Sequence, residues 1–336
     1  MDYRQVQLEK GMYQVSGKTF SHVLEELDPS EQYLGTQLEG LDAFERQLKR
    51  FDIKVSGRAS SAVEKFFSTS NSAALFPEYV KRAILSGVGE MDILNQLIAT
   101  KTYIDSLDYR SITSVPSEDD KKLKKVAEGA QIPTTTVKTK ENLISLNKRG
   151  RILAASYEAI RFQKLDLFTV TLRQIGSQIA KQQLSDAVNV LIYGDGNQNP
   201  AEEVTLLGQD LTYADLLNLW SKFEEFELNT LLVDSKAMLK LLGMSEFKDP
   251  ATGLNFQATG KLSTPLGANL LRSSVVPEQY LIALDKKCAL EMVSAGDVSV
   301  EYDKLIDRQL ERAAITAITG FAKIFPDACK VMRVGD

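Results

Sequence analysis

The sequence is nearly without histidine: His22 is the only one in 336 residues. A triad or dyad that uses imidazole as general base must therefore use His22 or not exist. Its setting, Ser21-His22-Val23-Leu24-Glu25-Glu26, reads as a polar N-terminal helix or arm with a surface histidine. Cysteine is scarce as well. Cys288 and Cys329 stand alone, without a second Cys or His at ligand spacing, so no disulfide framework or zinc site is indicated and a reducing compartment fits. A basic surplus is missing too. A formal net charge of −5 cannot wrap nucleic acid tightly, which takes clustered Lys and Arg to displace phosphate counterions, so any DNA partner must be enclosed rather than gripped. The start, Met1-Asp2-Tyr3-Arg4, runs into polar sequence, and no apolar run approaches the roughly 20 residues needed to cross a bilayer. The expectation is a soluble chain made in the cytoplasm, with no membrane partner.

The usual nucleotide, esterase and metalloprotease signatures are absent. Gly87-Val88-Gly89 lacks the third glycine of a dinucleotide loop and reads as a turn before a helix. Asp195-Gly196-Asn197-Gln198-Asn199 opens like a calcium loop, but Pro200 replaces its glycine and Leu206 its bidentate glutamate. Surface solvation explains most of the 45 carboxylates, and sequence alone selects no catalytic pair among them. No catalytic, cofactor-binding or metal residue is assigned, and no cofactor is expected. A carboxylate-dependent enzyme built in 201–296 is the remaining alternative outside the structural class.

What is present is ordinary globular composition, 43% hydrophobic and 25% charged, enough for two core-bearing regions. In residues 1–72, Leu34, Leu41 and Leu48 recur every seven positions, with Phe44 and Phe51 three residues after the last two. This spacing predicts an apolar stripe on a helix of roughly 20 residues. Gly35 and Gly40 each weaken such a helix by about 1 kcal/mol relative to Ala, so it needs a packing partner, its own domain or another chain. A Ser-rich link, Ser68-Thr69-Ser70-Asn71-Ser72, closes this region, and a helix is expected from Glu78 through Ala99.

Residues 101–150 read as a long hairpin. Strand-like Tyr103 to Thr113 leads to a charged tip, Glu118-Asp119-Asp120-Lys121-Lys122-Leu123-Lys124-Lys125, and returns through Ile132 and Val137 to Leu146. Such an excursion buries too little by itself and should lie on another surface. Its lysines read either as a solvated loop or as blocks pairing with a neighbouring subunit. The pattern Phe168, Leu172, Ile175, Ile179, Leu184, Val188, Leu191 predicts one unbroken helix over 165–193, with Asp166 as a possible N-cap and Gly194 at its end. Residues 201–296 alternate helix and strand as a compact α/β domain, with a poorly periodic stretch from Asp249 to Pro265. Strand-like sequence returns in the last 40 residues.

This order of parts resembles the major capsid proteins of tailed phages, a fold shared with encapsulins and the herpesvirus capsid floor. The resemblance covers roughly 70–336. Its marks are Glu128-Gly129-Ala130-Gln131-Ile132-Pro133, the long helix ending Tyr193-Gly194-Asp195-Gly196, and Gly320-Phe321-Ala322-Lys323-Ile324-Phe325-Pro326-Asp327-Ala328. It implies an α+β fold with an N-terminal arm (1–72), an extended hairpin loop (101–150), a spine helix (165–193), a peripheral domain (73–100, 151–200 and 297–336) and an axial domain (201–296). It implies hexamers and pentamers of the chain in an icosahedral shell around double-stranded DNA, assembled in the host bacterial cytoplasm as part of the virion. Portal, scaffolding and decoration proteins are the implied partners. The implied inter-subunit contacts are Leu34, Leu41, Phe44, Leu48 and Phe51 on the arm, and Asp119, Asp120, Lys121, Lys122, Lys124, Lys125, Glu128, Ile132 and Pro133 on the loop. Some relatives cross-link Lys to Asn or trim an N-terminal segment; neither is assigned, and Lys138 and Lys140 read as surface lysines. An encapsulin-type compartment is the alternative within the same fold.

Overall fold

The computed structural model describes residues 3–15, 17–89, 93–113, 125, 128, 138–248, 266–296 and 298–334. In chain order its helices are α1 Phe20–Leu27, α2 Ala43–Arg50, α3 Ser70–Ala73, α4 Phe76–Gly89, α5 Tyr157–Phe162, α6 Leu165–Tyr193, α7 Tyr213–Ser221, α8 Ser235–Gly243 and α9 Ser245–Lys248. The strands are β1 Ile98–Ile104, β2 Ile112–Thr113, β3 Lys138–Thr139, β4 Asn147–Ser156, β5 Glu202–Val204, β6 Thr230–Val233, β7 Asn269–Arg272, β8 Tyr280–Leu284, β9 Leu290–Ala295, β10 Ser299–Leu305, β11 Leu310–Lys323 and β12 Cys329–Arg333. They form two compact units: Met1–Met91 with Arg149–Ala180 and Asp297–Ala317, and Asp92–Lys148 with Lys181–Gly296 and Ile318–Asp336.

The first unit is built on helices. Thr19 caps α1 by accepting from the His22 N–H, and Asp42 and Glu45 form a reciprocal capping box on α2. The apolar faces that these caps orient, Phe20, Leu24, Phe44 and Leu48, pack with Phe66, Tyr79, Ile84, Phe168 and Leu172 into one core. Helix α4 and the opening of α6 approach backbone to backbone. A Cβ on Gly176 would sit 2.1 Å from the Ile84 carbonyl oxygen, and one on Gly87 would sit 2.0 Å from that of Arg173. Only glycine fits at either position. Strand β10 pairs antiparallel with the first half of β11, which β4 also joins.

In the second unit, a sheet runs in the order β5-β12-β8-β6-β7. Its central strands are apolar on both faces, because each face is covered. Leu231, Val233, Leu281 and Ala283 face α7 and α8 residues Leu216, Leu219, Met238 and Leu241. The alternate residues Leu232, Ile282 and Leu284 pack with Leu184, Val188 and Leu191 from the later turns of α6. Strand β9 pairs parallel with β1 and antiparallel with the second half of β11.

Several expectations are corrected. The first 72 residues are no separate arm: Val6, Leu8, Phe20, Leu24, Phe44, Val63 and Phe66 are buried in the core of their own unit. In place of the predicted long helix over Leu34 to Phe51 there is a loop with positive φ at Gly35 and Gly40, followed by the eight-residue α2. Glycines that only weaken a helix on paper here take conformations a helix does not allow. Helix α4 ends at Gly89, well short of Ala99, and Gly87 lies inside it. The strand expected from Tyr103 to Thr113 is split between β1 and β2. The division into units also differs. Strand β12, which lies between β5 and β8, completes the sheet assigned to 201–296, as Ile318–Asp336 and Lys181–Gly296 fall in one unit. Asp166 lies in the first turn of α6.

Candidate assembly surfaces and the anchored loop base

Within the second unit, the excursion after β1 is tied down at both legs. On the outgoing leg, Tyr109 OH and Ser111 Oγ donate to the buried Glu291 carboxylate at 2.6 and 2.8 Å, and Thr102 Oγ1 donates to the same group at 2.6 Å. Glu291 sits on β9 beside β1, so the sheet pairing brings the acceptor next to Thr102. Burial, then the hydrogen bond to Glu291, pushes the Tyr109 phenol up to about 12. The two legs meet in the short ladder of β2 and β3, extended by Lys140 N–H to the Ser111 carbonyl and Ile144 N–H to that of Tyr109.

The returning leg is held by charge. Lys140, 8% exposed, sets its Nζ 3.0 Å from Asp195 Oδ2 and also donates to the Lys323 carbonyl. Asp195 Oδ2 accepts from the Lys323 N–H at 2.9 Å, while Oδ1 accepts from the N–H and Nδ2 of Asn197. Asn142 then bonds Asn197 and the Gly196 carbonyl. The turn that offers Asp195 to all these donors follows the end of α6, where Gly194 and Gly196 take φ of +90° and +92°. Burial alone would raise the Asp195 carboxyl, but the hydrogen bonds from Lys140 and Asn197 and the lysine charge together hold it below its ordinary value. Lys323 is fully buried, its Nζ 3.1 Å from the Asn199 carbonyl, and burial lowers its ammonium despite the opposing pull of Asp195. These groups form a clamp. The charged groups of Lys140, Asp195 and Lys323 are each bonded to a neighbour within it. Among the described residues, no group of three His, Cys, Asp or Glu side chains could hold a metal, and no helix is long and apolar enough to cross a membrane.

The expected inter-subunit residues fall in different places. Leu34 is 69% exposed; Leu41 and Phe51 are half-buried, and Phe51 packs on the core with the Arg50 guanidinium over its ring. Phe44 and Leu48 are corrected: both are buried in their own unit, where a neighbour cannot reach them. Lys125 and Glu128 are exposed. Asp119, Asp120, Lys121, Lys122, Lys124, Ile132 and Pro133 lie outside the described residues. Lys140 is corrected from surface lysine to buried anchor. Sequence reasoning missed Glu291, Lys323 and the buried pair of Arg46 with Asp28, 2.6 Å apart. The one available signal was the Asp-Gly-Asn turn at 195–197, whose carboxylate was set against a calcium loop and never matched to a lysine.

A family of sequences described as phage capsid protein matches residues 139–322, more than half of the chain. The chain belongs to that family. No curated protein sequence matches it significantly. Among solved structures it is similar to the virus-like particle from Pyrococcus furiosus, at 16% identity and a TM-score of 0.52, covering 76% of this chain and 98% of that one. It is also similar to the capsid of a native GTA particle, at 13% identity and a TM-score of 0.54, covering 73% and 91%. A third is the holo-SrpI encapsulin complex from Synechococcus elongatus PCC 7942, at 15% identity and a TM-score of 0.53, covering 73% and 88%. At these identities the likeness is one of fold. Family and fold together make this a structural, non-enzymatic capsid shell protein, a virion component that associates with copies of itself.

Proposed function

We propose that the chain is the major capsid protein of a tailed phage, forming hexamers and pentamers that close into an icosahedral shell around double-stranded DNA. The family match over 139–322 carries this reading. Physical features support it. Large apolar side chains stand exposed in both units, among them Phe162 (77%) and Leu34 in the first and Leu207 and Leu239 in the second, surface that association would take out of water. Many identical, modest contacts then add through closure of the shell. A net charge of −5 suits a wall that contains a polyanion without gripping it. Leu34, Lys125 and Glu128 remain inter-subunit contacts in this proposal, with the acidic and basic blocks at 119–125 pairing to a neighbour and Ile132 and Pro133 as further contacts. Portal, scaffolding and decoration proteins are its further partners, and the host bacterial cytoplasm its place of assembly.

Electron microscopy of the chain expressed with its neighbouring genes tests the proposal. Closed shells some tens of nanometres across with double-stranded DNA inside are expected. Shells filled with an enzyme cargo would assign an encapsulin-type compartment instead, and a discrete non-associating molecule would overturn both readings.

A further inference from the structure

Where α6 begins, the first unit holds an open cavity of about 680 Å³, with the exposed Phe162 in its lining. Ser60, Arg58, Gly57, Lys164, Asp166 and Leu167 line it. Ser60 is held in place by its N–H bond to the Gly57 carbonyl, and the neighbouring Ser61 carbonyl accepts the Leu165 N–H that starts the helix. Ser60 is 7% exposed, and its hydroxyl oxygen is the buried side-chain polar atom without a hydrogen-bond partner among the described residues. A buried orphan hydroxyl costs about 1–3 kcal/mol, so a partner from outside is the expected remedy.

The surroundings define that partner's charge. The N-terminal turn of a 29-residue helix lines it through Asp166 and Leu167, while the Leu165 N–H is spent on Ser61. Arg58 and Lys164 add two exposed cations at the rim. Asp166 opposes them, but its Oδ1 already accepts the Gly57 N–H at 3.3 Å. Two cations and a helix N-terminus against one carboxylate leave the cavity net positive. We infer that it is an oxyanion site, in which Ser60 Oγ donates to a phosphate or carboxylate oxygen, the Asp166 and Leu167 N–H groups of α6 take a second oxygen, and Arg58 and Lys164 supply counter-charge. The oxyanion arrives free, as phosphate, or on a second copy of the chain, whose run Glu118-Asp119-Asp120 offers consecutive carboxylates. The second source rests on the shell reading; the site does not.

Calorimetric titration of the full chain with inorganic phosphate, and separately with a synthetic peptide of residues 114–120, tests the site. The peptide carrying Gln and Asn in place of its acids is the control. Binding weakened about tenfold in both Ser60→Ala and Lys164→Gln is expected, the loss of a charge-assisted hydrogen bond. In anion-free buffer Ser60→Ala keeps or raises the melting temperature, because it removes an unpaired hydroxyl. Phosphate binding alone assigns a free anion, and peptide binding assigns the second copy. Absence of both, binding unchanged in Ser60→Ala, or a lower melting temperature of Ser60→Ala without anion would overturn the site. Shell formation is read separately by microscopy, so failure here leaves the capsid reading standing.

Discussion

Arg46 is fully buried, its guanidinium spent on Asp28, on the Ser30 hydroxyl and the Leu41 carbonyl, and on the face of the Tyr33 ring at 4.4 Å. Truncating one partner strands the other's charge in the core, so Arg46→Ala should cost about 3–5 kcal/mol in urea unfolding. A loss below about 1 kcal/mol would mean that the pair is solvated. Cys329 is buried against the Leu191 carbonyl, and burial pushes its thiol up to about 11. The folded state therefore holds a proton that the unfolded state releases earlier. The stability it adds is complete below the ordinary thiol range, near 8.5, and is lost as pH climbs through about 11. Native protein at neutral pH should be alkylated at Cys288 and spared at Cys329, as read by peptide mass spectrometry. Neither residue's burial was legible beforehand. One arginine among many and one cysteine of two carry no mark of their surroundings, whereas His22 reads as exposed because its short sequence neighbourhood already settles that.

Elements were legible where one period ran unopposed. Helix α6 spans 165–193 as its apolar spacing dictates, and β6 and β8 fall on the apolar runs that mark them. The heptad over Leu34 to Phe51 misled because spacing says nothing of glycines at positive φ, and the Gly87 region misled because a packing glycine and a turn glycine look alike. Gly176→Ala should accordingly push α4 and α6 apart and cost at least about 1–3 kcal/mol, with a melting temperature lowered by several degrees; an unchanged value would refute the close crossing. The loop base belongs to this scale too. Asp195 has its carboxyl held below the usual range, so its contribution is fully present above about pH 4 and is lost as pH falls through the lowered value. Asp195→Asn should flatten the acid limb of the stability curve, measured by denaturant midpoints between about pH 6 and pH 2, and an unaltered limb would remove Asp195 from the anchor.

For the whole molecule, family and fold class were legible from the order of parts, while the division into units was not, since β12 reaches its sheet from the far end of the chain. The leading 72 residues make the largest difference. An extended arm would be dispensable to the fold of its own subunit. Here its loss would bare Phe76 and Tyr79, whose rings lie 5.5 and 5.1 Å from that of Phe66. A chain starting at residue 73 should be insoluble or molten, with near-ultraviolet circular dichroism lost; a folded, soluble product would restore the arm. Material already woven into a subunit's interior cannot be lent to a neighbour or clipped off without unravelling the donor. Mass spectrometry of subunits stripped from finished particles should therefore still find the peptides that carry Phe20, Leu24, Phe44 and Phe66.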